Sequence, residues 1–308
     1  MEIYLPIAEQ SMNVFVLLAL GGAAGLLAGM FGVGGGFLAT PLLIFAGIPP
    51  AVAVASQANQ VIANSVSSLQ VQWRRGNVDL RMGLILLLGG MVGSSAGVSL
   101  FTWLKRVGQI DFVIAVLYVV MLSAIGLLML AESSRTYFKR RRNPEAPRGK
   151  LHTHYMVHRL PLKMRFYKSK LYISALLPLG LGFVIGILSA ILGVGGGFVL
   201  VPAMIYLLGM PTGVVIGTSN FQILFVAANV TFLQAMTNRT VDVVLALLLI
   251  LGGVVGAPIG ARLAAKLPGV VLRGLMGLLV LAVAGQLLTD LVRTPASPYS
   301  LGTREVLP

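Results

Sequence analysis

From Ser11 to Trp73 the chain carries no Asp, Glu, Lys or Arg, and four further runs share that property: Met82–Leu104, Phe112–Ala131, Leu171–Asn238 and Val243–Ala261. About 20 helical residues cross a ~30 Å hydrocarbon layer, so each run is long enough to span a bilayer at least once. Composition agrees: 57% of the 308 residues are hydrophobic and 10% are charged, far from the soluble globular range. The first run is too long for a cleaved signal peptide and has no basic segment before it. In lipid every backbone polar group needs an internal partner, which favours helices. The expectation is an all-α polytopic membrane protein.

The cysteine count is zero, which excludes disulfides, thiolate metal sites and a thiol nucleophile. A formal net charge of +14 raises the question of nucleic acid, but twelve of the 23 basic residues lie in one hydrophilic stretch, Ser133–Lys170. Basic loops beside membrane helices mark the cytoplasmic side and meet anionic lipid headgroups, so the bilayer and not nucleic acid is the expected partner.

The chain is internally duplicated. GLLAGMFGVGGGFLATPLL from Gly25 is matched by GILSAILGVGGGFVLVPAM from Gly186. Gly89, Gly93 and Gly97 are matched by Gly252, Gly256 and Gly260, at an offset of 163. The pairing of Asn59 with Asn220 and of Asp79 with Asp242 then places one small insertion between Asn220 and Asp242. The reading is two repeats, 12–131 and 172–291, between an extracytoplasmic segment (1–11), a basic cytoplasmic loop (132–171) and a tail (292–308). Each repeat is a glycine-rich helical hairpin plus three transmembrane helices: hairpin 12–48 with spans 51–73, 82–104 and 110–131, then hairpin 172–209 with spans 211–236, 242–264 and 269–291. A hairpin that starts and ends on one side leaves three crossings, so the repeats are expected to be inverted in the membrane. The positive-inside rule puts the central loop in the cytoplasm and both termini outside, with Lys105 and Arg106 running against the rule.

Met12–Ile48 is 37 residues, about 55 Å of helix, or two arms of roughly 25 Å around the GVGGG turn. Arms that short predict a turn below the membrane surface, where protein or a wet cavity must surround it. The backbone N–H groups of Gly34, Gly35 and Gly36, and of Gly195, Gly196 and Gly197, open a following helix and can attract an anion. The plainer alternative is that these glycines only let two helices pack closely. A dense set of amides and hydroxyls follows each hairpin; Gln57, Asn59, Asn64, Ser219, Asn220 and Gln222 are the candidate side-chain ligands. The GxxxGxxxG runs read as packing seams, within the chain or between copies in a homo-oligomer. His152, His154 and His158 read as a solvated loop and not a metal site. No GxxxxGK[ST] loop exists for ATP. No span has a central ionisable residue, so what is left is a neutral site suited to a small oxyanion.

The doubled G-V-G-G-G-F with its following Pro41 or Pro202, then a polar stretch containing Asn59 or Asn220, resembles the TauE/SafE family of sulfite exporters. The resemblance covers 12–131 and 172–291. It implies a secondary exporter of sulfite, sulfoacetate or related organosulfonates in the cell membrane, with no cofactor and no enzymatic activity. An anion channel with the same polar path is the alternative.

Overall fold

A computed structural model describes residues 2–31, 36–142, 162–169, 171–266 and 269–292. The first half begins with a β-hairpin, β1 (Glu2–Leu5) and β2 (Gln10–Asn13), followed by α1 (Val14–Phe31), α2 (Gly36–Phe45), α3 (Pro50–Arg74), α4 (Leu80–Arg106) and α5 (Ile110–Arg142). The second half repeats that order: β3 (Lys163–Phe166), β4 (Leu171–Ser174), α6 (Leu176–Leu192), α7 (Gly197–Tyr206), α8 (Thr212–Leu233), α9 (Val243–Lys266) and α10 (Gly269–Val292). Five helices, α4, α5, α8, α9 and α10, are long and apolar enough to cross a membrane. The 25-residue α3 has the length but not the apolarity, because amides and hydroxyls interrupt it; of the amides Gln57 and Gln60 are fully buried.

Both β-hairpins are antiparallel, pairing Glu2 with Asn13 and Lys163 with Ser174. The repeat therefore begins at residue 2 and again at 163, ahead of the expected starts at 12 and 172. In place of two equal arms, α1 has 18 residues and α2 has 10, about 27 Å and 15 Å. The short arm ends because Gly47 takes a φ of +93° and its N–H bonds back to Ile44 O, as Ile48 N does to Leu43 O. Pro49 and Pro50 then forbid continuation and open α3.

Packing is reciprocal between halves: α1 lies on α9 and α6 on α4, while α3 faces α8 and α5 faces α10. The glycine seams give the directions. Gly89 meets Leu179, Gly93 meets Phe183 and Gly97 meets Ile187, so α4 and α6 run parallel. Gly21 meets Leu249 and Gly25 meets Gly253, so α1 and α9 do too. In contrast, Ser133 meets Gly274 and Gly126 meets Leu281, so α5 and α10 are antiparallel. Both GxxxGxxxG seams are packed against helices of the same chain. Outward-facing Leu84, Leu88 and Val92 on α4, and Leu251, Val254 and Val255 on α9, form apolar stripes at helical spacing.

The register between halves differs from the sequence alignment. Pro49 and Pro211 are the residues before α3 and α8, at an offset of 162, so one extra residue enters after α7. The second enters at a π turn, Gln234–Asn238, directly after α8; such turns absorb a single inserted residue. The partner of Asn59 is then Phe221, and that of Asn220 is Ala58. The equivalent pairs are Ser56 with Thr218 and Gln60 with Gln222. Lys105 donates to Asn238 O at 2.9 Å, at the end of the π turn. A cation at a helix C-terminus is electrostatically favoured, which accounts for a positive charge on the face where the charge rule disfavours it.

Candidate functional site

Gly36, at the start of α2, lies against the second glycine turn. A Cβ on Gly36 would lie 3.2 Å from Val194 Cα, and the rings of Phe37 and Phe198 stack with centroids 4.1 Å apart and planes 8° apart. Gly195 and Gly196 have φ of +68° and +75°, a conformation that suits glycine, and Gly197 starts α7. Gly36 and Gly195–Gly197 are all buried. Gly34 and Gly35 lie outside the described residues. The crevice beside the turns is lined by Phe37, Tyr118, Leu122, Leu192 and Phe198, and the Tyr118 hydroxyl is engaged by Leu192 O. That crevice is apolar.

The candidate side chains fall into separate groups. Gln57 Nε2 donates to Gln60 Oε1 at 2.9 Å, and Gln60 Nε2 donates to Gly21 O at 3.0 Å, tying α3 to α1. Asn220 Nδ2 donates to Ser68 Oγ at 2.9 Å, tying α8 to α3, and to Ile216 O. Asn59 and Ser219 bond within their own helices, to Ser56 O and Ile216 O. Asn64 is partly buried. Gln222 is fully buried against Gly90 on α4, with neither amide atom partnered. Val61 and Ile223 lie beside Gly195, where an added Cβ would meet both.

Two carboxylates outside the candidate set organise the ends of the bundle. Asp79, 4% exposed, caps α4 by accepting from Met82 N, and its other oxygen accepts from Ser169 N at 3.0 Å and Ser169 Oγ at 2.7 Å. Asp242, fully buried, caps α9 through Leu245 N and accepts from Ile7 N at 3.0 Å. Thr218 and Ser56 accept from the Asp79 and Asp242 backbone N–H groups. Each β-hairpin tip is thus fastened to a helix of the other half. The Asp-Leu-Arg-Met and Asp-Val-Val-Leu sequences, acidic residues just before an apolar run, are the N-cap signal that points to these residues. Among the described residues no group of three His, Asp or Glu is placed to hold a metal.

The sequence profile described as sulfite exporter TauE/SafE matches residues 17–287. A "Probable membrane transporter protein" of Xylella fastidiosa (strain 9a5c) is 30% identical over 276 residues, covering 88% of this chain and 94% of that one. The "Probable membrane transporter protein YunE" of Bacillus subtilis (strain 168) is 26% identical over 289 residues, covering 91% and 98%. No solved structure gave a significant match. With a profile match that spans both halves and relatives aligned over nearly their full length, this multi-pass membrane transport protein belongs to the TauE/SafE family.

Proposed function

We propose that the chain is a secondary transporter that exports small sulfur-containing oxyanions, such as sulfite or organosulfonates, across the cell membrane by alternating access. The observation that carries this reading is the pair of matched closures at opposite ends of the bundle. Leu5 of the first hairpin is fully buried among Leu43, Ile48 and Val52, over the α2–α3 junction. Phe166 of the second is fully buried among Met204, Leu208 and Met210, over the α7–α8 junction. Both hairpins are latched, so the arrangement is the closed one, with a ligand released when either latch opens. Antiparallel α5 and α10 support opposite orientation of the halves in the membrane, with the basic loop cytoplasmic.

The family and the chemistry of the core support the substrate class. Buried amides on α3 and α8, with the backbone of Gly36 and Gly195–Gly197, supply neutral donors for a small anion. We assign Gln57, Asn64 and Gln222 to its surround. A channel with the same path is disfavoured because a buried hairpin residue, Leu5 or Phe166, closes each end.

A flux panel in proteoliposomes, using labelled sulfite, sulfate, methanesulfonate and acetate, tests the substrate class. Saturable flux of sulfite or a sulfonate, with acetate slow, is expected. Preference for acetate, or no selection among the four, would contradict it.

A further inference from the structure

Gln222 is completely buried, yet neither its Nε2 nor its Oε1 has a partner. Its counterpart, Gln60, is equally buried and fully engaged: Nε2 donates to Gly21 O at 3.0 Å and Oε1 accepts from Gln57 Nε2 at 2.9 Å. One residue accounts for the unpartnered Oε1, while Nε2 makes no bond matching that of Gln60 to Gly21 O. Where the first half has Gln57, the second has Ser219, whose hydroxyl turns back to Ile216 O at 3.1 Å and is too short to engage the next turn. The duplicated fold has therefore kept the amide in both halves and the lock in only one.

Buried polar atoms without partners are rare because they lose their hydrogen bonds to water without replacement. The other unpartnered buried atoms among the described residues are Gln57 Oε1, Ser65 Oγ and Thr231 Oγ1, an acceptor and two hydroxyls. The two hydroxyls can also donate, but Gln222 alone among them leaves two polar atoms unpartnered, an N–H donor and a carbonyl acceptor on one planar group. A fully deprotonated oxyanion can satisfy only the nitrogen. An oxyanion bearing one proton satisfies both atoms, because its charged oxygen accepts from Nε2 while its O–H donates to Oε1. A monoanion also suits a site without counter-charge better than a dianion does.

We propose that Gln222 is the substrate-contacting amide and that it selects the singly protonated form of the oxyanion. This rests on the transporter reading above. Gly90 and Val226 close over the amide here: a Cβ on Gly90 would stand 2.6 Å from each of Gln222 Nε2 and Val226 Cγ2. The ligand reaches it when α4 and α8 part. The titrating proton belongs to the ligand. Neither α6 nor α8 carries a titratable side chain, α7 carries only Tyr206 at its end, and Arg74 ends α3. On α4, Asp79, Arg81, Lys105 and Arg106 stand at the two ends, more than about 12 Å along the helix from Gly90.

Calorimetric titration of the purified full-length protein across pH, with sulfite and methanesulfonate as probes, tests the proposal. Sulfite takes up a proton near neutrality, whereas methanesulfonate stays a proton-free monoanion. Parent affinity for sulfite should rise as pH falls through the ionisation of hydrogen sulfite, and that for methanesulfonate should stay flat. Gln222→Leu should weaken sulfite binding about 10- to 150-fold and erase its pH dependence. Gln222→Glu, which keeps the shape but replaces the donors, should do the same and guards against misfolding of either variant. Gln222→Asn should restore part of the preference, which a purely packing role would not. If the parent binds neither probe, the substrate reading falls and this proposal falls with it. If the parent binds both and the Leu and Glu variants keep its affinity and pH response, this proposal alone is overturned.

Discussion

A Cβ on Gly93 would stand 2.0 Å from Phe183 O, and one on Gly260 would stand 1.9 Å from Leu26 O. Backbone atoms cannot move aside as a side-chain end can, so either methyl must push two helices apart. By contrast, nothing lies within 4 Å of a Cβ on Gly180 or Gly285. Gly93→Ala and Gly260→Ala should each cost about 1–3 kcal/mol or more and lower the melting temperature of the purified protein. Gly180→Ala and Gly285→Ala should leave it unchanged or raise it, since alanine is favoured over glycine in a helix by about 1 kcal/mol. Equal melting temperatures across the four variants would show that the seams do not hold the bundle. Gly196→Ala is a poorer probe of ligand binding, because its φ of +75° and the Ile185 side chain 2.2 Å from the added methyl mix strain with any effect on a ligand.

Among the elements, the hairpins and their latches matter most for stability and for movement. Asp79→Ala removes three accepted hydrogen bonds at once, one of them the helix cap, which should cost on the order of 3 kcal/mol. Asp242→Ala should follow it with a somewhat smaller loss, having fewer partners. Thermal denaturation in detergent reads the order, and limited proteolysis should cut the Ser169 hairpin first in Asp79→Ala. Resistance of that hairpin to cleavage would show that the latch is not what secures it. The long helices were legible in sequence because charge-free runs and helix-breaking Pro and Gly bound them within a few residues, except α5, which runs past the expected end at 131 to Arg142 through charged residues. The hairpins were not: EIYL and KMRF are only four residues each and sit in segments read as tail and loop. Their recurrence at an offset of 161 was the available signal. The register of α8 was hidden because one extra residue enters in the loop between α7 and α8, where no periodicity tracks it, so Asn59 and Asn220 looked equivalent when they are not. Of the candidate site, burial of the amides was foreseeable from their cost in lipid. Their division into engaged and unengaged groups depended on single side-chain lengths, such as that of Ser219 against Gln57.

For the whole molecule, the proposed opposite orientation of the halves sets which surface meets the cytoplasm. Ser134 is exposed near the end of α5 and begins the basic stretch, and the chain contains no cysteine. Cysteine introduced there by Ser134→Cys should resist an impermeant thiol reagent in intact cells and react after permeabilisation. Labelling in intact cells would reverse the orientation. The central claim, a carrier that closes on both sides of a neutral anion site, is tested most directly by counterflow in proteoliposomes. Vesicles loaded with unlabelled sulfite and diluted into trace labelled sulfite should take up label transiently above its equilibrium level, since a carrier returns occupied. Label that only equilibrates, at a rate independent of internal sulfite and without saturation, would contradict the account.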